Sequence, residues 1–121
     1  METIKIPLYF NKENKERYNQ EKIKDYILNN HKDKDFPMYG ELVQDNLITP
    51  YSINLSEITH KIKNVSLIND TLVSEIDILD TPKGKIVQEL IKENIPFKLT
   101  PRVIIDGNDK NNCQLISLDL I

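Results

Sequence analysis

Three side chains in this sequence could do chemistry together: an imidazole, an alcohol and a guanidinium. His60 lies in the strand-like run Ile58-Thr59-His60-Lys61-Ile62, and Thr100 stands two residues before Arg102 in Leu99-Thr100-Pro101-Arg102. An imidazole exchanges protons near neutral pH, a hydroxyl can attack a carbonyl once a base takes its proton, and a guanidinium holds an anion or a carboxylate. Each also has a plainer reading. His60 would be a core-facing histidine hydrogen-bonded internally, Thr100 a strand residue with a locally satisfied hydroxyl, and Arg102 the partner of an Asp or Glu in a surface ion pair. Function depends on which of these His60 and Thr100 are. His31 sits in a charged connector and is assigned no role. Cys113 is the single cysteine, so no internal disulfide is possible, and no second cysteine stands at ligand spacing for zinc.

The elements that position these groups follow from periodicity. Ile58, His60 and Ile62 alternate with Thr59, Lys61 and Lys63, so a strand would turn His60 to the core and the threonine and lysines outward. Asn69-Asp70 tolerates a left-handed backbone and predicts a tight hairpin turn into a strand over Thr71–Leu79, with Ile76 and Ile78 on one face and Glu75 and Asp77 on the other. Thr81-Pro82 predicts a helix start, with Thr81 as cap and Pro82 in the first turn. Ile86, Val87, Leu90 and Ile91 form its apolar stripe, and Asn94 and Pro96 end it at about Glu93. Asp80 and Thr81 are thus capping residues, not catalytic ones.

Elsewhere the signals are shorter. Thr3–Phe10 reads as an edge strand because Pro7 cannot donate to a ladder. Ile23, Tyr26 and Ile27 predict a helix over Gln20–Asn30, with Tyr26 at the core or its edge. Met38–Val43 is a short strand, and Gln44–Tyr51 is loop-like. Ile95–Ile105 is a strand that Pro101 turns into an edge, a bulge or a bend. Asp106-Gly107-Asn108-Asp109 is a turn, and Gln114–Ile121 is a last strand with Ile116, Leu118 and Leu120 on one face.

The chain has 121 residues, which predicts one domain over 1–121. It contains no Trp and only 3 Phe, so the core should be aliphatic. A net charge of -3 with both signs interspersed gives no basic track for nucleic acid. No apolar run approaches the roughly 20 residues of a membrane span, and Lys5 and Pro7 interrupt any signal-peptide pattern, so a soluble protein made in a reducing cytoplasm is expected. The pattern predicts an α+β, mainly β fold: a small antiparallel β-barrel of six to seven strands with two helices packed outside.

Taken in order, several segments resemble the prohead maturation proteases of tailed bacteriophages, which share a fold with the herpesvirus capsid-assembly proteases. Asn11 to Tyr18 resembles the family's Asn/Arg-rich segment ending in an aromatic. Gly40-Glu41-Leu42 resembles its Gly-Glu-Leu, and Ile53-Asn54-Leu55 through Ile58-Thr59-His60 resembles the strand bearing its histidine. Ile78-Leu79-Asp80-Thr81-Pro82-Lys83-Gly84-Lys85 comes near its Leu-Asp-Thr-Pro-x-Gly-Lys. Leu99-Thr100-Pro101-Arg102 falls where the family has a serine followed by arginine, and Leu115–Ile121 resembles the strand that closes its barrel. The resemblance implies His60 as general base, Thr100 in the nucleophile's place and Arg102 at the oxyanion, with no cofactor and no metal.

Departures from the pattern point away from the chemistry. Thr100 replaces the family's serine, and its branched carbon restricts χ1. Threonine nucleophiles are activated mainly beside a free terminal amine. Val43-Gln44-Asp45 replaces the usual Gly-His-Pro after Gly-Glu-Leu. Lys98, Val103 and Ile104 stand where glycines would open an oxyanion site. The family's long segment beyond the barrel has no counterpart here. His60, Thr100 and Arg102 are therefore read as vestigial positions. The expectation is an auxiliary or cementing capsid protein of a tailed phage, located in the virion and assembled in the host cytoplasm. Its partners would be the major capsid protein and other virion proteins, met in part by strand addition at Thr3–Phe10 or Gln114–Ile121, with no nucleic acid or membrane. The alternatives are an active maturation protease using Thr100 and His60, and a barrel-shaped binding module with no viral connection.

Overall fold

The computed structural model describes residues 2–10, 18–42, 56–105, 107, 109 and 111–121. The family-like segment 11–17, the loop reading at 44–51, Ile53–Leu55, and two of the four residues of the predicted turn at 106–109 lie outside them.

Eight elements follow in the order β1 (Glu2–Pro7), α1 (Gln20–Asn30), β2 (Tyr39–Glu41), β3 (Ile58–Ile68), β4 (Thr71–Ile78), α2 (Pro82–Lys92), β5 (Leu99–Ile105) and β6 (Cys113–Leu120). The fold is mainly β with two helices, and every ladder is antiparallel. The strands form a four-stranded sheet in the order β1-β4-β3-β2 and a two-stranded sheet, β5-β6.

The expected closed barrel is not there. Among the described residues, the two sheets are bridged by isolated backbone pairs, Leu8 with Leu99 and Leu42 with Leu120, rather than by a ladder, so both remain open. Two physical reasons account for this. β1 ends at Pro7, which has no N–H to extend a ladder toward β5. Where β2 passes β6, side chains take the backbone groups that a ladder would pair. The Glu41 amide donates to the Asp119 carboxylate at 3.0 Å, and the His60 ring donates to the Leu118 carbonyl at 2.7 Å. Nor is β6 a free edge, having β5 along one side and the Leu42 bridge on the other.

Local signals set the remaining geometry. Asn69 and Asp70 have φ of 50° and 66°, and they join the last β3–β4 pair, Ile68 with Thr71, as a two-residue loop. Asn19 caps α1 by accepting from the Lys22 amide, and the Tyr26 ring stacks on Phe36 at the core's edge, 5.9 Å between centroids. α2 ends as Asn94 adopts φ 61°, with the Ile95 amide on the Leu90 carbonyl and the Asn94 amide on that of Ile91, a Schellman closure.

α2 does not use its whole predicted stripe. Val87 is fully buried, Leu90 and Ile91 are half-buried, and Ile86 is 48% exposed. Gly84 explains the rotation. A Cβ there would lie 2.1 Å from the Leu79 carbonyl oxygen, so the helix seats its Gly84–Val87–Ile91 side closest to the sheet. Pro101 announces a bulge at Arg102/Val103 in β5.

One aliphatic core joins both sheets and both helices. It includes Ile27, Ile76, Ile78, Val87, Leu99, Leu118 and Leu120, all at 0% exposure. Burial of each such side chain is worth about 1.5–3 kcal/mol.

Candidate functional site at the seam between the sheets

His60 is positioned by two backbone neighbours. It pairs with Ile78 of β4 on one side and with Gly40 of β2 on the other. Gly40 makes the position possible. A Cβ there would lie 2.1 Å from the Leu118 oxygen and 2.4 Å from His60 Nε2. β2 therefore passes over the ring only because that residue has no side chain.

The ring is entirely buried, and both nitrogens are engaged. The Leu118 carbonyl can only accept, so Nε2 carries the proton and donates to it. Nδ1 then accepts from the Thr59 hydroxyl at 2.8 Å. This is the neutral tautomer. Burial pushes the imidazole below its ordinary value of 6.5, and the Leu118 carbonyl and the Asp119 charge oppose that less strongly. Thr59 was expected to point outward with Lys61 and Lys63, yet it too is fully buried. The Thr59 hydroxyl also lies 3.4 Å from the Gly40 carbonyl.

Arg102 anchors the other half of the seam. Its Nε donates to Asp119 Oδ2 at 2.9 Å and its Nη2 to Glu41 Oε2 at 3.1 Å. The side chains of Arg102, Glu41 and Asp119 are 9%, 12% and 5% exposed. Asp119 Oδ1 accepts from the Ser117 hydroxyl at 2.8 Å as well as from the Glu41 amide. Burial opposes the guanidinium charge, but the hydrogen bonds and charges of Asp119 and Glu41 outweigh it and raise its pKa. Of the two readings open to Arg102, the carboxylate-paired one describes its place, though the pair is buried at a junction of three strands.

Thr100 is half-buried and faces Asp119 in the β5–β6 ladder, while Arg102 faces Ser117 and Pro101 between them faces Leu118. The fold thus brings the three candidates to one region, but β6 runs between His60 and the strand carrying the other two. His60 reaches β6 and stops at its backbone. Neither ring nitrogen is left over for the Thr100 hydroxyl.

Sequence reasoning did not assign roles to Thr59, Ser117 or Asp119, nor to Gly40 and Glu41 beyond their resemblance. No local signal marked them: Leu118-Asp119-Leu120 alternates as a strand with a solvated acid would. In the Asp80-Thr81-Pro82-Lys83-Gly84 run, Thr81 is the cap that was expected, whereas Asp80 bonds a side chain and not a helix amide. Thr81 Oγ1 accepts from the Gly84 amide at 3.0 Å and donates to the Ile58 carbonyl, tying α2 to the start of the His60 strand. Asp80 accepts from Gln88 at 2.9 Å, which lowers its pKa. Among the described residues, no group of three or more His, Cys, Asp or Glu side chains could hold a metal ion.

No protein-family model matches the sequence, and no curated protein is similar to it. Among solved structures, the bacteriophage T4 capsid assembly protease, gp21, is similar with a TM-score of 0.62 and 15% identity, over 98% of this chain and 80% of that one. Along nearly its whole length, then, this chain has a fold like that of the phage capsid assembly protease.

Proposed function

We propose that the chain is a capsid-associated protein of a tailed bacteriophage, an auxiliary or cementing subunit that binds the major capsid protein and keeps a protease-like fold without its chemistry. The observation that carries this reading is His60. A general base must present a free nitrogen to the proton it takes. Here both nitrogens are spent on Leu118 and Thr59, under a strand that only glycine allows so close. Arg102, which would have to face a developing oxyanion, is neutralised by two carboxylates. The seam then serves as a joint between sheets.

Contacts with a shell protein would come from surfaces the core leaves free. β1 is the outer strand of its sheet. At the β3–β4 tip, Leu67 and Ile68 are 52% and 47% exposed. An outer strand can accept another by main-chain hydrogen bonds, and paired aliphatic side chains at a tip suit an apolar recess.

The test is quantitative mass spectrometry of purified particles of the encoding phage. Many copies per mature particle are expected; absence or trace amounts would sink the structural reading. The alternative, an active maturation protease using Thr100 and His60, predicts cleavage of capsid or scaffold protein by the purified chain, lost in both His60→Ala and Thr100→Ala. The expected result is no cleavage by any of the three.

A further inference from the structure

We propose that the β2–β6 seam is a proton-operated latch, in which uptake of a proton by the His60 ring releases β2 from β6 while the β1-β4-β3 ladders stay closed. Three features of the seam lead there. Among the described residues it is held by side chains and one backbone bridge, Leu42 to Leu120, rather than by a ladder. β2 is only 3 residues long and hydrogen-bonds through β3, so it has little independent hold. Finally, its central side chain is titratable and enclosed.

In the closed state the proton count is fixed by geometry. Nε2–H donates to Leu118, and the lone pair of Nδ1 accepts the Thr59 hydroxyl proton. Adding a proton at Nδ1 forces the Thr59 hydrogen to turn away, and the acceptor within reach is the Gly40 carbonyl at 3.4 Å, a long contact. The ring becomes a buried cation. Among the described residues, the charge that acts on it is that of Asp119 on β6, itself joined to Arg102 of β5, which also holds Glu41 of β2; Gly40 of β2 and Ile78 of β4 are the paired neighbours of His60. Asp119 is the one whose charge favours the imidazolium. Its two oxygens are already committed to Arg102, the Glu41 amide and Ser117. Water would solvate the new charge, and the short strand over the ring is what must move to admit it.

The sign follows from linkage. The open state titrates near the ordinary 6.5 and the closed state below it, so opening takes up a proton as the pH falls below about 6.5. Each pH unit below that favours opening by as much as about tenfold, until the closed state also protonates.

The test is amide hydrogen exchange on the full chain at pH 7.5 and pH 5.0, corrected for intrinsic exchange rates, with the His60 ring followed by NMR. Protection at the Glu41 amide should fall roughly tenfold or more relative to the β1–β4 ladder amides, starting as the pH drops below about 6.5 and levelling off only where the ring itself titrates. In His60→Gln, which keeps a side-chain donor but does not titrate, the fall should be absent. The latch is overturned if seam and β1–β4 amides lose protection in parallel, if the fall persists in His60→Gln, or if the wild-type ring titrates at or above its ordinary 6.5. That last comparison needs no variant and decides the matter even if His60→Gln does not fold.

Discussion

At the scale of single residues, the seam depends on one missing Cβ and one cation. Gly40→Ala would drive a methyl group into the Leu118 oxygen and the His60 ring, neither of which is the free end of a flexible side chain. We expect a loss of about 3 kcal/mol or more in urea unfolding, at the upper end for overpacking. A near-neutral result would mean that β2 is not seated on the ring. Arg102→Met removes the cation between Asp119 and Glu41 and leaves two enclosed carboxylates facing each other. Breaking one member out of a buried ion network costs about 3 kcal/mol or more. Equilibrium unfolding that moved by only a few tenths would place Arg102 among ordinary surface pairs. These roles were only partly legible beforehand. The sequence marked His60 as core-facing, because its alternation with Ile58 and Ile62 is a local fact. It misplaced Thr59, because burial on the second face comes from packing that no period of two records.

At the scale of elements, the helices were readable nearly to the residue. α1 occupies the span Gln20–Asn30 that the spacing of Ile23, Tyr26 and Ile27 indicates, and α2 begins at Thr81-Pro82 and ends one residue before the expected Glu93. Caps and turns are short-range chemistry, so their signals need no fold to interpret. Which side of α2 meets the sheet was another matter. Ile86 belongs to the apolar stripe yet stays 48% exposed, since the close approach at Gly84 decides the rotation. A change of sign tests this account. Glycine to alanine inside a helix ordinarily gains about 1 kcal/mol. Gly84→Ala should instead lose about 1–3 kcal/mol, because the new Cβ meets the Leu79 carbonyl. Thr81→Ala should lose about 1 kcal/mol through its cap to Gly84. Thermal or urea unfolding of both variants reads the two effects, and a stabilised Gly84→Ala would refute the rotation.

For the whole molecule, the question is whether two open sheets make one cooperative unit. Leu99, Leu118 and Leu120 of the smaller sheet share a core with Ile76 and Ile78 of the larger one and with Ile27 and Val87 of the helices. A shared core couples the sheets far more strongly than two single bridges could. Unfolding should therefore be a single transition, with calorimetric and van't Hoff enthalpies equal. Two resolved transitions would show that the β5-β6 pair melts by itself.

By itself, the sequence determined the parts that short stretches encode: two helices, one with its cap, the hairpin at Asn69-Asp70, a core-facing His60 and a mainly antiparallel β chain. Only the tertiary structure decided how those parts close, and there the expected barrel gave way to two sheets joined at a polar seam. The physical reason is distance along the chain. His60 meets the Leu118 carbonyl across 58 residues, and Glu41 meets Asp119 across 78. Each contact takes up a backbone group that a continuing ladder would need, and no local pattern in either segment records that competition.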